Sequence, residues 1–278
     1  MKFDKNLNVL IFPGGTEIGL EIYRSLRFVK NINVYSASNN VKNHGPFTFK
    51  NHRIIPNIDS KHCILSLNKI IDKDQINLIF PANDLIIDFL NNNREQLKSD
   101  IVLMDQNIVK LTRSKRDTYN YFKNILPIPL IYETGNVVKA FPVFAKPNAG
   151  YGSQGTKIIN SQSELSHYIK CNQDSIIQEY LPGDEYTIDC FSSKKDGLIF
   201  HAGRKRNRIR MGTSMNGTLV DEKLNAIFEN YAKIINEILN MVGAWFFQMK
   251  KDASGNLKLL EIQTRIAGTM AINRSRGV

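Results

Sequence analysis

Long apolar runs are missing from this sequence. The longest, at residues 140–145 and 242–249, fall well short of the ~20 apolar residues that a membrane-spanning helix needs. Near the N terminus, Asp4, Asn6 and Asn8 interrupt any apolar core of a secretory signal. We therefore expect a cytoplasmic protein with no membrane partner.

Cysteine is scarce. The three cysteines, Cys63, Cys171 and Cys190, are odd in number, widely spaced and without a C-x-x-C pair. Disulfide frameworks and zinc sites use paired or closely spaced cysteines. The pattern therefore indicates reduced thiols rather than a disulfide framework or a zinc site.

Acidic residues are in deficit. The 278 residues include 37 Lys and Arg against 26 Asp and Glu, a net charge of +11. A positive field favours anionic partners, and charge alone does not choose among nucleic acid, acidic lipid and anionic small molecules. With 42% hydrophobic and 23% charged residues the chain is not disordered, and at about 100 to 200 residues per domain it forms one large domain or two.

The first hundred residues alternate between short apolar runs and amphipathic helices. Residues 8–12 predict a buried strand, Gly14 and Gly15 a turn, and residues 18–26 a helix. The cycle repeats with strands at 32–36, 77–80 and 101–104 and helices around 64–71 and 85–97. This alternation predicts a parallel sheet with helices on both faces.

The alternation of predicted strands and helices ends near residue 105. Residues 107–122 are mostly helical, Pro127 and Pro129 follow, and we place a domain boundary near residue 112. Later strand candidates are 143–146, 156–159, 176–179, 186–191, 198–202, 244–250 and 257–262, and helix candidates are 163–171 and 222–241. The spacing of Ser161 and Glu164 is that of a capping box, which supports the start of the first of these helices.

The first chemical signal lies at residues 142–159. An apolar strand ends at Lys146, and a loop with Gly150, Gly152 and Gly155 precedes a second strand. Glycines let backbone N–H groups approach phosphate oxygens, and a nearby lysine offsets their charge. Since known phosphate loops run from strand to helix, a plain glycine-rich hairpin remains the alternative.

Two further segments carry polar residues at strand spacing. Glu185, Thr187 and Asp189 share one face of a strand, for which an ordinary polar outer face is the alternative. In residues 246–269, Gln248 lies in one strand, Glu261 and Gln263 share a face of the next, and Arg265 follows. Paired oxygen donors suit Mg²⁺, and an adjacent arginine suits the charge of a transferring phosphoryl group.

These motifs together resemble the ATP-grasp superfamily, in its branch similar to the carbamoyl-phosphate-synthase large subunit. The resemblance covers nearly the whole chain and rests on the order of the Lys115 region, A-K-P with its glycine loop, Q-E-Y-L-P-G-D-E-Y-T-I-D and E-I-x-x-R-I-x-G. It implies an α/β and α+β protein. A pre-ATP-grasp parallel-sheet domain at residues 1–112 would precede a two-lobed ATP-grasp fold at 113–278, with a lid region at 140–180 and a truncated C-terminal part.

The resemblance implies roles for individual residues. ATP would be bound by Lys115, Lys146, the loop residues Gly150, Tyr151, Gly152, Ser153, Gln154 and Gly155, the hinge residues Glu179, Tyr180 and Leu181, and Glu185 at the ribose. Mg²⁺ would be held by Gln248, Glu261 and Gln263, and Arg265 would be catalytic. The family usually has Asn and Pro where this chain has Gln263 and Thr264, which puts a second metal in doubt. Because Glu261 is the only carboxylate of the set, Mg²⁺ should bind weakly without ATP.

A basic segment and a glycine turn are the candidate substrate contacts. Residues 204–210 are rich in arginine and lack interleaved aromatics that would stack bases. The corresponding stretch of the family lies beside the acceptor site, so Arg204, Arg206 and Arg210 are expected to bind substrate, with a solvated face or nucleic-acid binding as alternatives. Gly14 and Gly15 are expected to line the substrate cleft, with a plain tight turn as the alternative.

The resemblance implies an ADP-forming carboxylate–amine (or carboxylate–thiol) ligase that uses ATP and Mg²⁺ and acts through an acyl phosphate. Its partners would be a small-molecule carboxylate and an amine acceptor rather than nucleic acid, and a homodimer is compatible with it. Gln263 and the abrupt C terminus suggest an alternative, a nucleotide-binding protein of the same fold without ligase turnover. A nucleic-acid binder is suggested by charge only.

Overall fold

The computed structural model describes residues 6–132, 138, 140–150, 152–210 and 212–277. These residues form two compact units. Unit 1 comprises the described residues up to Val109 and those from Arg265 onward, and unit 2 comprises Lys110–Thr264. The sequence-based boundary near residue 112 stays a prediction. Tyr151, one of the predicted loop residues, lies outside the described residues.

Unit 1 contains a parallel sheet. Its strands are β1 (Leu7–Phe12), β2 (Ile32–Ser38), β3 (His52–Ile54), β4 (Leu78–Pro81) and β5 (Asp100–Ile101), in the order β3-β2-β1-β4-β5, and every neighbouring pair is parallel. Chain order reverses between β1 and β4. The carboxyl ends of these two strands therefore flank the crevice at which open α/β sheets bind ligands.

Helices cover both faces of this sheet. They are α1 (Glu17–Leu26), α2 (Gly45–Thr48), α3 (Cys63–Asp74) and α4 (Asp84–Asn92). On β1, Leu10 shares a core cluster with Leu67 of α3, whereas Ile11 shares a different cluster with Ile22 of α1. A strand buried on both sides needs a continuous apolar run, which is why residues 8–12 identify it in the sequence.

Unit 2 contains a four-stranded antiparallel sheet. The helical stretch predicted at 107–122 is two helices, α5 (Gln106–Arg113) and α6 (Lys115–Phe122), because Ser114 caps α6 by accepting a hydrogen bond from the Asp117 N–H. Strands β6 (Ile131–Tyr132), β7 (Val143–Pro147), β8 (Lys157–Ile159) and β9 (Ser175–Glu179) lie in the order β6-β9-β7-β8. Between β8 and β9, α7 (Gln162–Cys171) begins at its predicted cap, Ser161.

A five-stranded antiparallel sheet completes unit 2. Its strands are β10 (Glu185–Ser193), β11 (Gly197–Arg210), β12 (Thr213–Leu219), β13 (Gly243–Lys251) and β14 (Leu257–Gln263), in the order β12-β11-β10-β13-β14. Helix α8 (Glu222–Leu239) packs against β11. Two expectations are corrected here. The strand predicted at 198–202 continues to Arg210, and the sequence does not predict β12, so the basic segment is one arm of a long hairpin.

The last helix, α9 (Ala271–Arg274), belongs to unit 1. A parallel-sheet N-terminal part followed by antiparallel sheets is the predicted α/β and α+β class, which is confirmed. Among the described residues, no helix combines the length and apolar character needed to cross a membrane.

Candidate functional site

One face of the five-stranded sheet carries a row of polar side chains from four adjacent strands. Arg204 lies opposite Thr187, Thr187 opposite Gln248, and Gln248 opposite Glu261. Side chains at paired positions of an antiparallel sheet project to the same face, roughly 5 Å apart. Two of the predicted metal ligands, Gln248 and Glu261, are therefore neighbours, and the sheet register brings Thr187 beside them.

A second group of polar residues on this sheet is organised by Arg206. Its guanidinium donates to the carboxylate of Glu185, to Gln248 Oε1 (3.2 Å) and to the carbonyl of Gly212 (2.5 Å), and Lys250 Nζ lies 3.3 Å from Glu185. Glu185, the predicted ribose acceptor, and Gln248, a predicted metal ligand, thus both contact the guanidinium of Arg206. A ligand that uses Glu185 or Gln248 has to share these groups with Arg206 or displace it.

Arg204 and Asp189 form a buried ion pair. Nη2 of Arg204 lies 3.2 Å from Oδ1 of Asp189, and only 1% of Arg204 is exposed. Burial lowers the pKa of Arg204, and the charge of Asp189 opposes that shift. Arg204 therefore has little surface to offer an acceptor, whereas Arg210, at the far end of β11, is exposed. The substrate roles of Arg204, Arg206 and Arg210 stay predictions.

The predicted phosphate-binding lysines lie close to Tyr119, which the sequence does not single out. Lys146 Nζ donates to Tyr119 Oη (2.6 Å), and Lys115, one turn earlier in α6, donates to the Asn148 carbonyl (3.4 Å). The pKa of the Lys146 ammonium is lowered to about 7, mainly by burial and then by the charge of Lys115. The charge of Glu261 raises this pKa. Nearby negative charge, such as that of a phosphate, would favour the ammonium form of Lys146.

The glycine loop between β7 and β8 rests on the turn between β11 and β12. Gly152, Ser153 and Gly155 have φ values of 62°, 54° and 72°, a region that favours glycine. A Cβ on Gly212, in the β11–β12 turn, would lie 2.4 Å from the carbonyl carbon of Gly152. Since Arg206 binds the Gly212 carbonyl, it also supports the surface under this loop. The lid role of residues 150–155 stays a prediction.

The predicted hinge follows β9. The Glu179 carboxylate accepts a hydrogen bond from the Leu130 N–H (2.9 Å), and the Glu179 N–H donates to the Leu130 carbonyl (2.9 Å). Leu181 is 3% exposed and Tyr180 is half-buried. Glu179 therefore fixes the end of β9, and adenine binding by the backbone of residues 179–181 stays a prediction.

In unit 1, the Gly14–Gly15 turn is packed too tightly for side chains. The Gly14 N–H donates to the Ala37 carbonyl (2.9 Å), and a Cβ on Gly14 would lie 2.5 Å from Ser36 Cβ. A Cβ on Gly15 would lie 2.3 Å from Cγ of Asn43. Close packing explains both glycines, and the turn also lies at the carboxyl end of β1, beside the crevice of the sheet. Its substrate role stays a prediction.

Arg265 is held by Asp84, a residue that the sequence does not single out. Nε and Nη2 of Arg265 bind the two carboxylate oxygens of Asp84 at 2.5 and 2.9 Å. Asp84 is the first residue of α4, which starts at the carboxyl end of β4 and is capped by Asn83. A bidentate pair fixes the plane of a guanidinium. Arg265 is thus oriented in advance for any anion that it contacts.

Replacing Asp84 with asparagine should destabilise unit 1 by about 3 kcal/mol, because a buried charge pair that loses one partner leaves the other uncompensated. The Asp84 side chain is 2% exposed and that of Arg265 is 14% exposed. The matched control is Asp72→Asn, which breaks a pair with Lys98 in which both side chains are 57% exposed and which should cost less than about 1 kcal/mol. Urea unfolding followed by circular dichroism compares the two. An equal loss of unfolding free energy in the two variants would show that the Asp84–Arg265 pair stabilises the fold no more than an exposed pair does.

The donor chemistry of the predicted metal set fits Mg²⁺ bound together with phosphate. Glu261 supplies one carboxylate, and Gln248 and Gln263 supply neutral oxygens from the same sheet. Within the described ranges, no cluster of three or more His, Cys, Asp or Glu residues could hold a metal by itself. Mg²⁺ takes few protein ligands when phosphate oxygens complete its shell. The set therefore suits an ion that enters with a nucleotide.

A family model and solved structures match this chain. The model of the family described as ATP-grasp in the biosynthetic pathway with Ter operon matches residues 172–278. Comparison of the sequence with the curated proteins gives no match. The matched residues include the five-stranded sheet and with it Glu185, Gln248, Glu261 and Gln263.

Three solved structures resemble nearly the whole chain. The biotin carboxylase domain of Hydrogenobacter thermophilus 2-oxoglutarate carboxylase aligns over 95% of this chain and 65% of its own, at 15% identity and a TM-score of 0.76. N5-carboxyaminoimidazole synthetase from Staphylococcus aureus aligns over 98% and 74%, at 15% identity and 0.74. L-amino acid ligase from Bacillus licheniformis aligns over 96% and 69%, at 13% identity and 0.73.

These similarities show the fold of the chain. The chain has the ATP-grasp fold, and the predicted resemblance to the ATP-grasp superfamily is confirmed. The chain spans less than two thirds of the length of the H. thermophilus domain. The narrower assignment to the carbamoyl-phosphate-synthase branch stays a prediction.

Proposed function

We propose that the chain is an ADP-forming ligase that uses ATP and Mg²⁺ to join a carboxylate to an amine or a thiol through an acyl phosphate. One observation carries the proposal. Unit 2 holds a buried lysine, Lys146, within electrostatic range of two carboxylates, Glu185 and Glu261, and Glu261 lies among neutral oxygen donors. A cation for phosphates and an oxygen set for Mg²⁺ are the two parts that phosphoryl transfer requires.

The similar structures support this proposal. The H. thermophilus domain was solved with MgADP, ADP and bicarbonate, and the S. aureus synthetase with ADP. The B. licheniformis protein is an L-amino acid ligase. Proteins of this fold therefore bind nucleotide and include ligases, which makes nucleotide-dependent ligation the natural first test for this chain.

The candidate residues other than the buried Arg204 each have a role in the proposal. Phosphates would be held by Lys115 and Lys146 and covered by residues 150–155, adenine by the backbone of Glu179, Tyr180 and Leu181, and ribose by Glu185. Mg²⁺ would be held by Glu261, Gln248 and Gln263 and would offset the charge that develops on the transferring phosphoryl group. Arg265 would stabilise that group, and Arg206, Arg210 and the Gly14–Gly15 turn would contact the substrates.

The protein's main contribution would be position and charge. Lys146 has its ammonium on a buried strand, so it loses little conformational freedom when an anion arrives. Arg206 would release Glu185 and Gln248 or share them when ribose and metal bind. Because Arg206 also holds Gly212, this exchange links nucleotide binding to the surface under the glycine loop.

The ligase proposal predicts ADP release that depends on both a carboxylate and an acceptor. The protein is incubated with Mg²⁺ and ATP against pooled carboxylates combined with pooled amines and thiols, and ADP is measured with a coupled assay. ADP should appear with particular pools only, and Glu261→Gln should abolish it while Glu237→Gln, an exposed change on α8, should not. ADP formation that is the same in every pool and unchanged in Glu261→Gln would contradict the ligase proposal.

A second candidate is a nucleotide-binding protein without ligase turnover. The observation in its favour is that Arg206 already engages Glu185 and Gln248, while Glu261 is the only carboxylate of the metal set. Tight binding of MgADP by calorimetry, with no ADP release in any pool, would support this candidate over the ligase.

A further inference from the structure

Tyr119 links two parts of the candidate site. Its hydroxyl accepts a hydrogen bond from Lys146 Nζ (2.6 Å) on β7 and donates to the backbone carbonyl of Leu260 (2.7 Å) on β14. The residue is 2% exposed. β7 belongs to the four-stranded sheet and β14 to the five-stranded sheet, and Leu260 precedes Glu261. One phenol thus connects the candidate phosphate-binding strand to the candidate metal-binding strand.

The hydrogen-bond directions follow from the single proton of a phenol. Burial and the charge of Glu261 raise the pKa of Tyr119 well above its usual value, so the hydroxyl keeps its proton. The carbonyl of Leu260 can only accept and, at 2.7 Å, lies nearer to the hydroxyl than Gln178 Oε1 at 3.5 Å. The proton therefore points to Leu260, and an oxygen lone pair faces Lys146. A neutral oxygen partner leaves the charge of the ammonium form of Lys146 uncompensated and available to an anion, whereas a carboxylate partner would offset it.

The position of Tyr119 in α6 supports this role. Residues four apart lie on the same face of a helix, so Tyr119 lies one turn after Lys115, the second candidate phosphate ligand. The Tyr119 ring also lies under the ammonium of Lys146, with its centroid 5.0 Å from Nζ. Helix α6 therefore carries one lysine and, four residues later, the group that holds the other.

We propose that Tyr119 is a positioning residue for nucleotide phosphates, which holds the Lys146 ammonium in place and ties it through Leu260 to the strand of Glu261. This inference rests on the proposed function, because it assumes that Lys146 binds phosphate. A positioning role for the Tyr119 hydroxyl differs from a packing role for the side chain in one measurable respect. Loss of the hydroxyl should weaken contacts with phosphates and leave contacts with adenosine unchanged.

The test is Tyr119→Phe, which removes the hydroxyl and keeps the ring. ADP and adenosine are titrated calorimetrically into wild type, Tyr119→Phe, and the control Tyr121→Phe, which alters a half-exposed tyrosine of the same helix. We expect affinity for ADP to fall about tenfold in Tyr119→Phe, the order of effect of a hydrogen bond to a charged group, with adenosine affinity unchanged and Tyr121→Phe equal to wild type. An equal loss for ADP and adenosine, or no loss, would overturn the proposal.

A double-mutant cycle with Lys146→Met asks whether Tyr119 acts through Lys146. Adding Tyr119→Phe to Lys146→Met should cost no further ADP affinity, since the lysine is already absent, and a further tenfold loss would contradict the proposal. The double variant removes both members of the Lys146–Tyr119 hydrogen bond, so its comparison with Lys146→Met is available even where Tyr119→Phe alone folds poorly. If wild type does not bind ADP, the proposed function itself is wrong. If Lys146→Met weakens ADP binding and Tyr119→Phe does not, the positioning role alone is wrong.

Discussion

Replacing Lys146 with methionine should weaken ADP binding about 100-fold and leave the fold at least as stable as wild type. The affinity falls because one partner of a buried charge contact is removed, which costs a few kcal/mol. The stability is maintained because methionine fills a similar volume without a charge that has to be buried. A plain core lysine would show no such separation between binding and stability.

The same residue should make ADP affinity depend on pH. Phosphate favours the ammonium form of Lys146, whose pKa in the free protein is about 7, so its contribution is complete below pH 7. As pH rises above 7, binding has to take up a proton, and affinity should fall by up to about tenfold per pH unit until the pKa of the complex is reached. Lys146→Met should not show this fall.

The pH series also has a stability component of known sign. The Lys146 pKa is lower in the folded chain than in the unfolded chain, so between about pH 7 and pH 10 the unfolded state binds more protons. Wild type should therefore gain stability relative to Lys146→Met as pH rises through this window. Below pH 7 the full cost of burying the ammonium is present, and the advantage of methionine should be largest.

Calorimetric titration of ADP from pH 6 to pH 9 tests these expectations, with Lys170→Met, an exposed lysine of α7, as the matched control. The pH series for Lys146→Met reports the titration of ADP itself. The difference between this series and that of wild type therefore gives the contribution of Lys146 to the pH dependence. Parallel pH profiles for wild type and Lys146→Met would show that Lys146 does not bind the phosphates.

Local pattern was sufficient to predict most of the fold. The apolar run at residues 8–12 identified β1 because a strand buried on both faces shows no alternation. The spacing of Ser161 and Glu164 identified the start of α7, because a cap is an interaction between residues three apart. Both features depend on neighbours in the sequence, so the sequence alone contains them.

Strand β12 and the end of β11 could not be predicted in the same way. Residues 213–219 include Asn216, Gly217 and two threonines, with few apolar side chains to mark a buried face. They form a strand because they pair with β11, from Arg204 opposite Leu219 to Arg210 opposite Thr213. The extension of the basic segment is thus a consequence of pairing, which single-strand propensity does not reveal.

The residues of the candidate site also differ in whether the sequence alone could identify them. Lys146, Glu185, Gln248 and Glu261 are candidates because their types and order match a family pattern, and β10, β13 and β14, which carry the last three, are neighbours in the sheet. Tyr119 and Asp84 were missed because their partners lie far along the chain. Tyr119 binds Leu260, 141 residues away, and Asp84 binds Arg265, 181 residues away. An ordinary buried tyrosine or aspartate would look the same in the sequence.

Replacing Glu261 with glutamine should remove the effect of Mg²⁺ on nucleotide binding and abolish Mg²⁺-dependent ADP formation. In wild type, Mg²⁺ and ADP should strengthen each other's binding by about 10- to 100-fold, a typical coupling between two sites. Glu261 is the only carboxylate of the proposed metal set, so its loss should bring this factor close to one. The proposed adenine contacts at residues 179–181 lie at the end of β9 and just after it, away from β14 in sequence, and should persist.

The coupling is measured by titrating ADP with Mg²⁺ and with EDTA, which needs no acceptor substrate. The titrations are done at pH 6, because Glu261 also raises the pKa of Lys146 and its removal would otherwise reduce the charge of that lysine as well. Glu237→Gln is the control for a lost surface charge. Gln263→Asn should keep the coupling and Gln263→Leu should reduce it, because only the former retains an amide oxygen. A Glu261→Gln protein in which Mg²⁺ still strengthens ADP binding as in wild type would place the metal elsewhere, because a glutamine carbonyl cannot replace the charge that holds a divalent cation against neutral ligands.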